Sequence, residues 1–320
     1  MTQPSDVGDM RPEILMMTAL PQWDMEPLDA AYRIHRYWEA RDKQALLADC
    51  KLVRAILTTG HIGADAALLS ALPAVEMVAC FGVGVDGVDF QATRARGLPV
   101  TNTPDVLTGD VADLAIGLAL AVMREIPKAD THVRSGTWKS SELPLARRFF
   151  GCKLGIVGMG RIGIATAERA KGFGCDIGYF NRTAKPSLPY QAFDTVQALA
   201  GWADVVIVTL AGGAGTRAIM DRTAIQALGP QGFLVNVSRG STVDEAALIE
   251  ALQTGGIAGA GLDVFLNEPN IDPRFANLSN TVLMPHMGSA TTETRQAMGQ
   301  LVRDNLAAHF AGQPLLTPVE

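Results

Sequence analysis

Residues Lys153–Thr183 read KLGIVGMGRIGIATAERAKGFGCDIGYFNRT. The apolar run Leu154–Val157 feeds directly into Gly158-x-Gly160-x-x-Gly163. An alanine-rich amphipathic stretch continues to Lys171, and a second apolar run follows at Ile177–Phe180. Strand, glycines, helix and second strand therefore fall in register within about 30 residues, the length of one βαβ unit. In such a unit Gly158 permits the tight turn, Gly160 lets bare backbone approach a pyrophosphate, and Gly163 lets the helix pack on the strand. The helix N-terminus presents unpaired N–H groups and a positive dipole end to the phosphates. Glycines also mark ligand-free turns, but the register of all four parts favours a dinucleotide site.

The end of the second strand carries the next signal. An NAD site normally has Asp or Glu there to hold the ribose 2′-hydroxyl. Here the chain reads Asn181-Arg182-Thr183. A guanidinium between two polar side chains suits a 2′-phosphate, and no carboxylate is present to repel it. NADP is the favoured cofactor; NAD stays possible, since an arginine at a strand end can simply be solvated.

With 320 residues, two domains of ordinary size are expected. A hydrophobic content of 48% against 19% charged residues describes a soluble globular chain with ample core. The net charge of −6 and the lack of a clustered Lys/Arg face argue against nucleic acid as a partner. Cys50, Cys80, Cys152 and Cys175 are scattered without metal-ligand spacing. They read as reduced thiols, with no metal site. The polar N-terminus MTQPSDVGDM has no apolar core of a secretory signal and is expected to be a frayed tail. The longest apolar stretch, Val111–Met123, is interrupted by Asp113 and is too short for a membrane span. A cytoplasmic protein without membrane attachment is the expectation.

Strands are predicted at Ile14–Ala19, Leu52–Thr58, Val75–Cys80 and Pro99–Thr101. The intervening Glu26–Cys50 reads as helix-rich, with Tyr32, Tyr37 and Trp38 as packing residues, and short helices are predicted at Ala64–Ala71 and Phe90–Arg96. Strands alternating with helices imply a parallel sheet covered on both faces. After Cys80, Gly82, Gly84 and Gly87 could expose backbone N–H groups as a nest for a small carboxylate. A ligand-free crossover accounts for the same glycines equally well. Thr108–Met123 is helical and apolar on nearly every side, so it must be buried. Contact with a second subunit is the preferred cause. Trp138, in Gly136-Thr137-Trp138, reads locally as a packing residue. Beyond the glycine turn, strands are predicted at Val205–Leu210, Phe233–Val237, Ala258–Val264 and Val282–Met284, with helices at Asp244–Leu252 and Thr292–Phe310.

Arg239, Glu268 and His286 share one property: each falls just past the C-terminal end of a predicted parallel strand, where open α/β sheets place their ligands. Arginine offers a planar fork for a carboxylate. Histidine gives or takes a proton near neutral pH. A carboxylate beside an imidazole fixes its tautomer and favours its protonated form. Singly, each has an ordinary surface reading; downstream of a nucleotide fingerprint they form a set.

These residues carry a resemblance to the NAD(P)-dependent D-2-hydroxyacid dehydrogenases, extending from about Leu52 to Gly312. The matching stretches are FGVGVDGVD (Phe81–Asp89), Thr103–Ala115, Leu154–Gly163, NVSRG (Asn236–Gly240), GLDVFLNEP (Gly261–Pro269) and MPHMGSAT (Met284–Thr291). The resemblance implies an α/β fold of two Rossmann-like domains with parallel sheets. Residues 1–101 and 289–320 would form a flavodoxin-like substrate domain, and residues 102–288 an NAD(P)-binding Rossmann domain. A cleft between them would close over the substrate. It implies Arg239, Glu268 and His286 as the catalytic set. Thr108, Gly158, Met159, Gly160, Arg161, Ile162, Gly163, Asn181, Arg182, Thr183, Ser238, Asp263 and Gly288 would hold the cofactor, with Asp263 meeting the nicotinamide amide. Thr59, Val83 and Gly84, with Arg239 and His286, would hold the substrate, and Trp138 would reach it from a partner subunit. The helix Thr108–Met123 would be the dimerisation element of a homodimer. Within the family, Gly-x-Trp and NRT look most like NADPH-dependent glyoxylate/hydroxypyruvate reductases and plant-type hydroxyphenylpyruvate reductases. Ala211-Gly212-Gly213 departs from the proline-containing segment of many members.

The expected reaction is NADPH-dependent reduction of a small 2-oxo acid, glyoxylate or hydroxypyruvate, to the D-2-hydroxy acid. The first alternative is a reductase of aromatic or branched 2-oxo acids using NADH or NADPH. A nucleotide-sensing, corepressor-like protein is a further one, disfavoured by the intact set of three strand-end groups.

Overall fold

The computed structural model describes residues 10–183 and 185–319, so the expected N-terminal tail lies outside the described residues except for Met10. The chain divides into two compact units: one holds the residues up to Leu107 together with those from Thr291 onward, the other Thr108–Ala290.

In the first unit β1 (Glu13–Met16), α1 (Gln22–Ala31), β2 (Arg33–Arg36), α2 (Lys43–Asp49), β3 (Val53–Thr59), α3 (Ala66–Ala71), β4 (Met77–Phe81), α4 (Phe90–Ala95) and β5 (Val100–Thr101) follow in order. The sheet is parallel, ordered β2-β1-β3-β4-β5, which is the flavodoxin-like order. β4 is buried throughout, and β3 is buried except at Arg54 and Thr59, so both are read from their apolar runs. β2 corrects the helix-rich reading of Glu26–Cys50. Its sequence Arg-Ile-His-Arg is half-exposed at a sheet edge and lacks the apolar run that marks an inner strand. Of the three expected packing aromatics, Tyr32 is buried, while Tyr37 and Trp38 are only half-buried. Asn102 and Thr103 belong to this unit, their amides donating to Thr317 O and Gly82 O.

The second unit opens with α5 (Thr108–Met123) and α6 (Ile126–Arg134). It continues through β6 (Lys153–Val157), α7 (Arg161–Lys171), β7 (Asp176–Phe180), β8 (Gln191–Ala192), α8 (Val196–Trp202) and β9 (Val205–Val208). It closes with α9 (Arg222–Leu228), β10 (Phe233–Asn236), α10 (Glu245–Thr254), β11 (Gly259–Leu262) and β12 (Thr281–Leu283). Its sheet, β12-β11-β10-β9-β6-β7-β8, is parallel throughout and reverses direction of growth between β6 and β9, the switch point where doubly wound sheets bind ligands. The last helix, α11 (Thr292–Phe310), returns to the first unit.

α5 is buried as expected, but its own unit does the covering. Leu118 and Val122 lie against Gly261 and Gly259 of β11, where a Cβ would stand 3.1 Å from Leu118 Cβ and 2.9 Å from Val122 Cγ2. The subunit contact preferred on sequence is therefore not what buries these side chains. Gly117, by contrast, is exposed and faces open space. α6 is a second departure: a polar segment that reads as a connection forms a helix with no buried residue. Among the described residues no helix is long and apolar enough to cross a membrane.

Candidate active site

The glycine turn has the geometry its sequence implies. Gly158 adopts φ +103°, a conformation that L side chains rarely reach. A Cβ on Gly163 would stand 2.2 Å from Gly158 O, so α7 lies directly on the turn. A Cβ on Gly160 would meet nothing within 4 Å. The protein packs around two of the glycines and leaves the third facing space, at the N-terminus of α7, where a pyrophosphate would lie. These residues therefore fit a dinucleotide.

Two side chains hold this turn. Thr209 Oγ1 donates to Gly158 O at 2.6 Å, and Asn181 Oδ1 accepts from Met159 N at 3.1 Å. Asn181 also donates through Nδ2 to Thr183 O at 2.7 Å. Asn181, read on sequence as a phosphate donor, is thus already committed to shaping the loop. Arg182 and Thr183 are exposed beside it. Thr209 was not legible as a site residue, because it ends an apolar strand like any buried threonine.

The three strand-end residues follow β10, β11 and β12, which are neighbours in the sheet. Glu268 Oε2 lies 2.7 Å from His286 Nδ1. An ionised carboxylate can only accept, so in this pair Nδ1 carries the proton. Glu268 Oε1 accepts from Phe265 N at 2.8 Å, while Glu245 Oε2 accepts from Leu266 N at 2.9 Å. Burial raises the Glu245 carboxyl above its ordinary range, opposed by the Leu266 amide. Glu245 escaped the sequence reading; it supports the loop that presents Glu268. The Arg239 and Glu268 loops touch, since a Cβ on Gly240 would fall 2.0 Å from the Phe265 carbonyl carbon. Arg239 is half-buried, its Nη1 donating to Ser238 O at 2.8 Å, and Asn236 Nδ2 donates to Arg239 O at 2.9 Å. Ser238 Oγ donates to Leu210 O.

Asp263 is 1% exposed and fixes the turn that carries His286. Its Oδ1 and Oδ2 accept from Met287 N at 2.6 Å and Gly288 N at 2.8 Å, and its carbonyl accepts from His286 N at 2.9 Å. Burial pushes this carboxyl up, and the two amides draw it part of the way back. His286 and Asn267 both adopt positive φ, +57° and +59°. Non-glycine residues in that region concentrate at functional sites.

In the first unit the glycine loop is narrower as an anion site than its sequence suggests. Gly82 N donates to Thr103 Oγ1 at 3.1 Å and Gly87 N to Gly60 O at 2.7 Å, so two of the three expected glycine amides are spent internally. Among the described residues no acceptor pairs with the Val83 and Gly84 amides. Thr59 Oγ1 lies 3.3 Å from His61 Nδ1. Thr108 begins α5, and Arg161 and Ile162 open α7. Trp138 is 67% exposed, against its local reading as a packing residue.

The sequence profile of the D-isomer specific 2-hydroxyacid dehydrogenase NAD-binding domain matches residues 116–288. The chain is 47% identical over 307 residues to hydroxyphenylpyruvate reductase of Plectranthus scutellarioides, covering 96% of this chain and 98% of that one. It is 46% identical to a glyoxylate/hydroxypyruvate reductase of Arabidopsis thaliana, with the same coverage. The solved structure of an NADPH-dependent glyoxylate/hydroxypyruvate reductase of Sinorhizobium meliloti, in complex with NADP and malonate, superposes with a TM-score of 0.91 at 44% identity over 97% of each chain.

Proposed function

This chain belongs to the D-isomer specific 2-hydroxyacid dehydrogenase family, and from that premise we propose that it reduces a small 2-oxo acid, glyoxylate or hydroxypyruvate, to the D-2-hydroxy acid with NADPH. The observation that carries the reading is the Glu268–His286 contact at the ends of neighbouring strands. When bound, the nicotinamide supplies the hydride. His286 Nε2 donates a proton to the substrate carbonyl oxygen, and Glu268 steadies the imidazolium that makes this possible. Arg239 and the Val83 and Gly84 amides take the substrate carboxylate, with Thr59 beside them, which orients the carbonyl for transfer. The Gly158–Gly163 turn and Ser238 hold the cofactor, Asp263 and Gly288 frame its nicotinamide end, and Thr108 borders it. Exposed Arg182 selects the 2′-phosphate. The unit up to Leu107 and from Thr291 acts as the substrate domain and Thr108–Ala290 as the nucleotide domain, boundaries a few residues beyond the 101/102 and 288/289 expected from sequence.

We further assign a cytoplasmic homodimer, with Gly117 on the contacting face of α5 and Trp138 offered to the partner's substrate; the open space beside Gly117 and the exposure of Trp138 support this. A second reading, an aromatic 2-oxo acid reductase, is favoured by the 47% identity to hydroxyphenylpyruvate reductase. Initial rates with NADPH and NADH, each against glyoxylate, hydroxypyruvate and 4-hydroxyphenylpyruvate, decide between them. NADPH with the two small acids should give the highest kcat/KM, and Arg182→Ala should erode the NADPH preference by an order of magnitude or so, the scale of one charge-assisted contact. Preference for the aromatic acid would transfer the assignment to the second reading.

A further inference from the structure

Two of the four cysteines, scattered in sequence, meet in the fold. Cys152 Sγ and Cys175 Sγ are 3.7 Å apart although 23 positions separate them. Each immediately precedes a strand of the glycine-turn unit, β6 or β7, and Lys153 is the register partner of Asp176 one step further on. The cysteines are thus direct cross-strand neighbours. Adjacent strands run about 4.7–4.9 Å apart, inside the Cα separation of roughly 4.4–6.8 Å that a disulfide spans. The spacing of the two strands is thus compatible with the bond. Cys175 is partly exposed and Cys152 is buried behind it. Cys50 and Cys80 are buried in the first unit, their thiols pushed up to about 11 and about 12 chiefly by burial.

We propose that Cys152 and Cys175 form a thiol-oxidation site that takes a peroxide and closes to a reversible disulfide. The Cys175 thiolate attacks one peroxide oxygen; the S–O bond forms as the O–O bond breaks, and the departing hydroxide takes up a proton as water. The Cys152 thiol then attacks the Cys175 sulfur. The S–S bond forms, the S–O bond breaks, and the hydroxide leaves with the Cys152 proton as a second water. Two thiols lose two electrons and one peroxide gains them. The division of roles agrees with the direction of the acidities: hydrogen bonding from Cys152 lowers the Cys175 thiol, and the same contact together with burial raises that of Cys152. The bond would pin the starts of β6 and β7, the ends opposite those that carry Gly158 and Asn181.

The test exposes the folded full-length protein to hydrogen peroxide, then denatures and alkylates it. The expected result is loss of two alkylatable thiols, a Cys152–Cys175 cross-linked peptide pair in the mass spectrum, and recovery of both thiols with dithiothreitol. Cys175→Ser, a change at the more exposed position, should keep every remaining thiol under the same treatment. Alkylation of all four cysteines in the wild type would overturn the proposal. So would oxidation of Cys175 to a sulfinic acid without a cross-link, or a disulfide joining two chains.

Discussion

Glu268 divides its carboxylate between the residue it serves and the loop it stands on: Oε2 meets His286 Nδ1 at 2.7 Å, and Oε1 accepts from Phe265 N at 2.8 Å. The imidazole's tautomer and the loop's shape therefore depend on one side chain. Glu268→Gln keeps the size and one acceptor but removes the charge opposite the imidazolium. Turnover should fall by 10²–10⁴-fold, the typical contribution of a positioned acid. The dissociation constant for NADPH, measured by fluorescence titration, should change little. A parallel loss of cofactor binding would mean that Glu268 acts by holding the unit together instead.

The glycine turn separates a glycine needed by the fold from one needed by the ligand. Gly163→Ala drives a Cβ to 2.2 Å from Gly158 O, so the helix must move off the strand. Gly160→Ala meets nothing within 4 Å, at a φ of −81° that alanine accepts. The first variant should lose about 1–3 kcal/mol of stability, as overpacking at a rigid contact does. The second should unfold at the same urea concentration as the wild type within about 0.5 kcal/mol, yet bind NADPH at least tenfold more weakly. Equal affinities for Gly160→Ala and wild type would show that no phosphate approaches that position.

The difference between these two glycines marks how far sequence carries the argument. Spacing is enough to place Gly158, Gly160 and Gly163 on a strand–turn–helix, and strand ends are enough to group Arg239, Glu268 and His286, because both signals are local and periodic. Thr209, Glu245 and the meeting of Cys152 with Cys175 depend on which segments lie side by side, and a polar residue ending an apolar strand looks the same whether it holds the glycine turn or nothing. The edge strand Arg33–Arg36 failed for a related reason: with both faces half-exposed it carries no apolar pattern. α5 shows the reverse error, where an all-apolar helix announces burial without saying by what.

Asp263 offers a direct handle on the turn that bears His286. Its two oxygens accept separate amides, Met287 N and Gly288 N. Asparagine has one acceptor oxygen, so Asp263→Asn turns an amide NH₂ toward a buried N–H. Leaving that group unsatisfied costs about 1–3 kcal/mol. A shift of the urea midpoint of that size, together with a fall in kcat as His286 loses its fixed position, is expected. Unchanged kcat alongside the stability loss would place the whole effect in the fold.

In the first unit a charged contact joins α1 to α11. Asp24 is 0% exposed and pairs with Arg303, itself only 21% exposed. Burial raises the Asp24 carboxyl, and the Arg303 charge opposes that rise. The guanidinium is thus the counter-charge that opposes the effect of burial on Asp24. Arg303→Met preserves the aliphatic packing and removes the counter-charge, so Asp24 must either protonate or stay unpaired. The expected loss is about 3–5 kcal/mol, the range for breaking a buried pair from one side. Adding Asp24→Asn to the same chain removes the stranded charge and should restore most of the stability in urea unfolding. If the single and double variants unfold alike, the loss comes from the packing of Arg303 and the pairing with Asp24 contributes nothing.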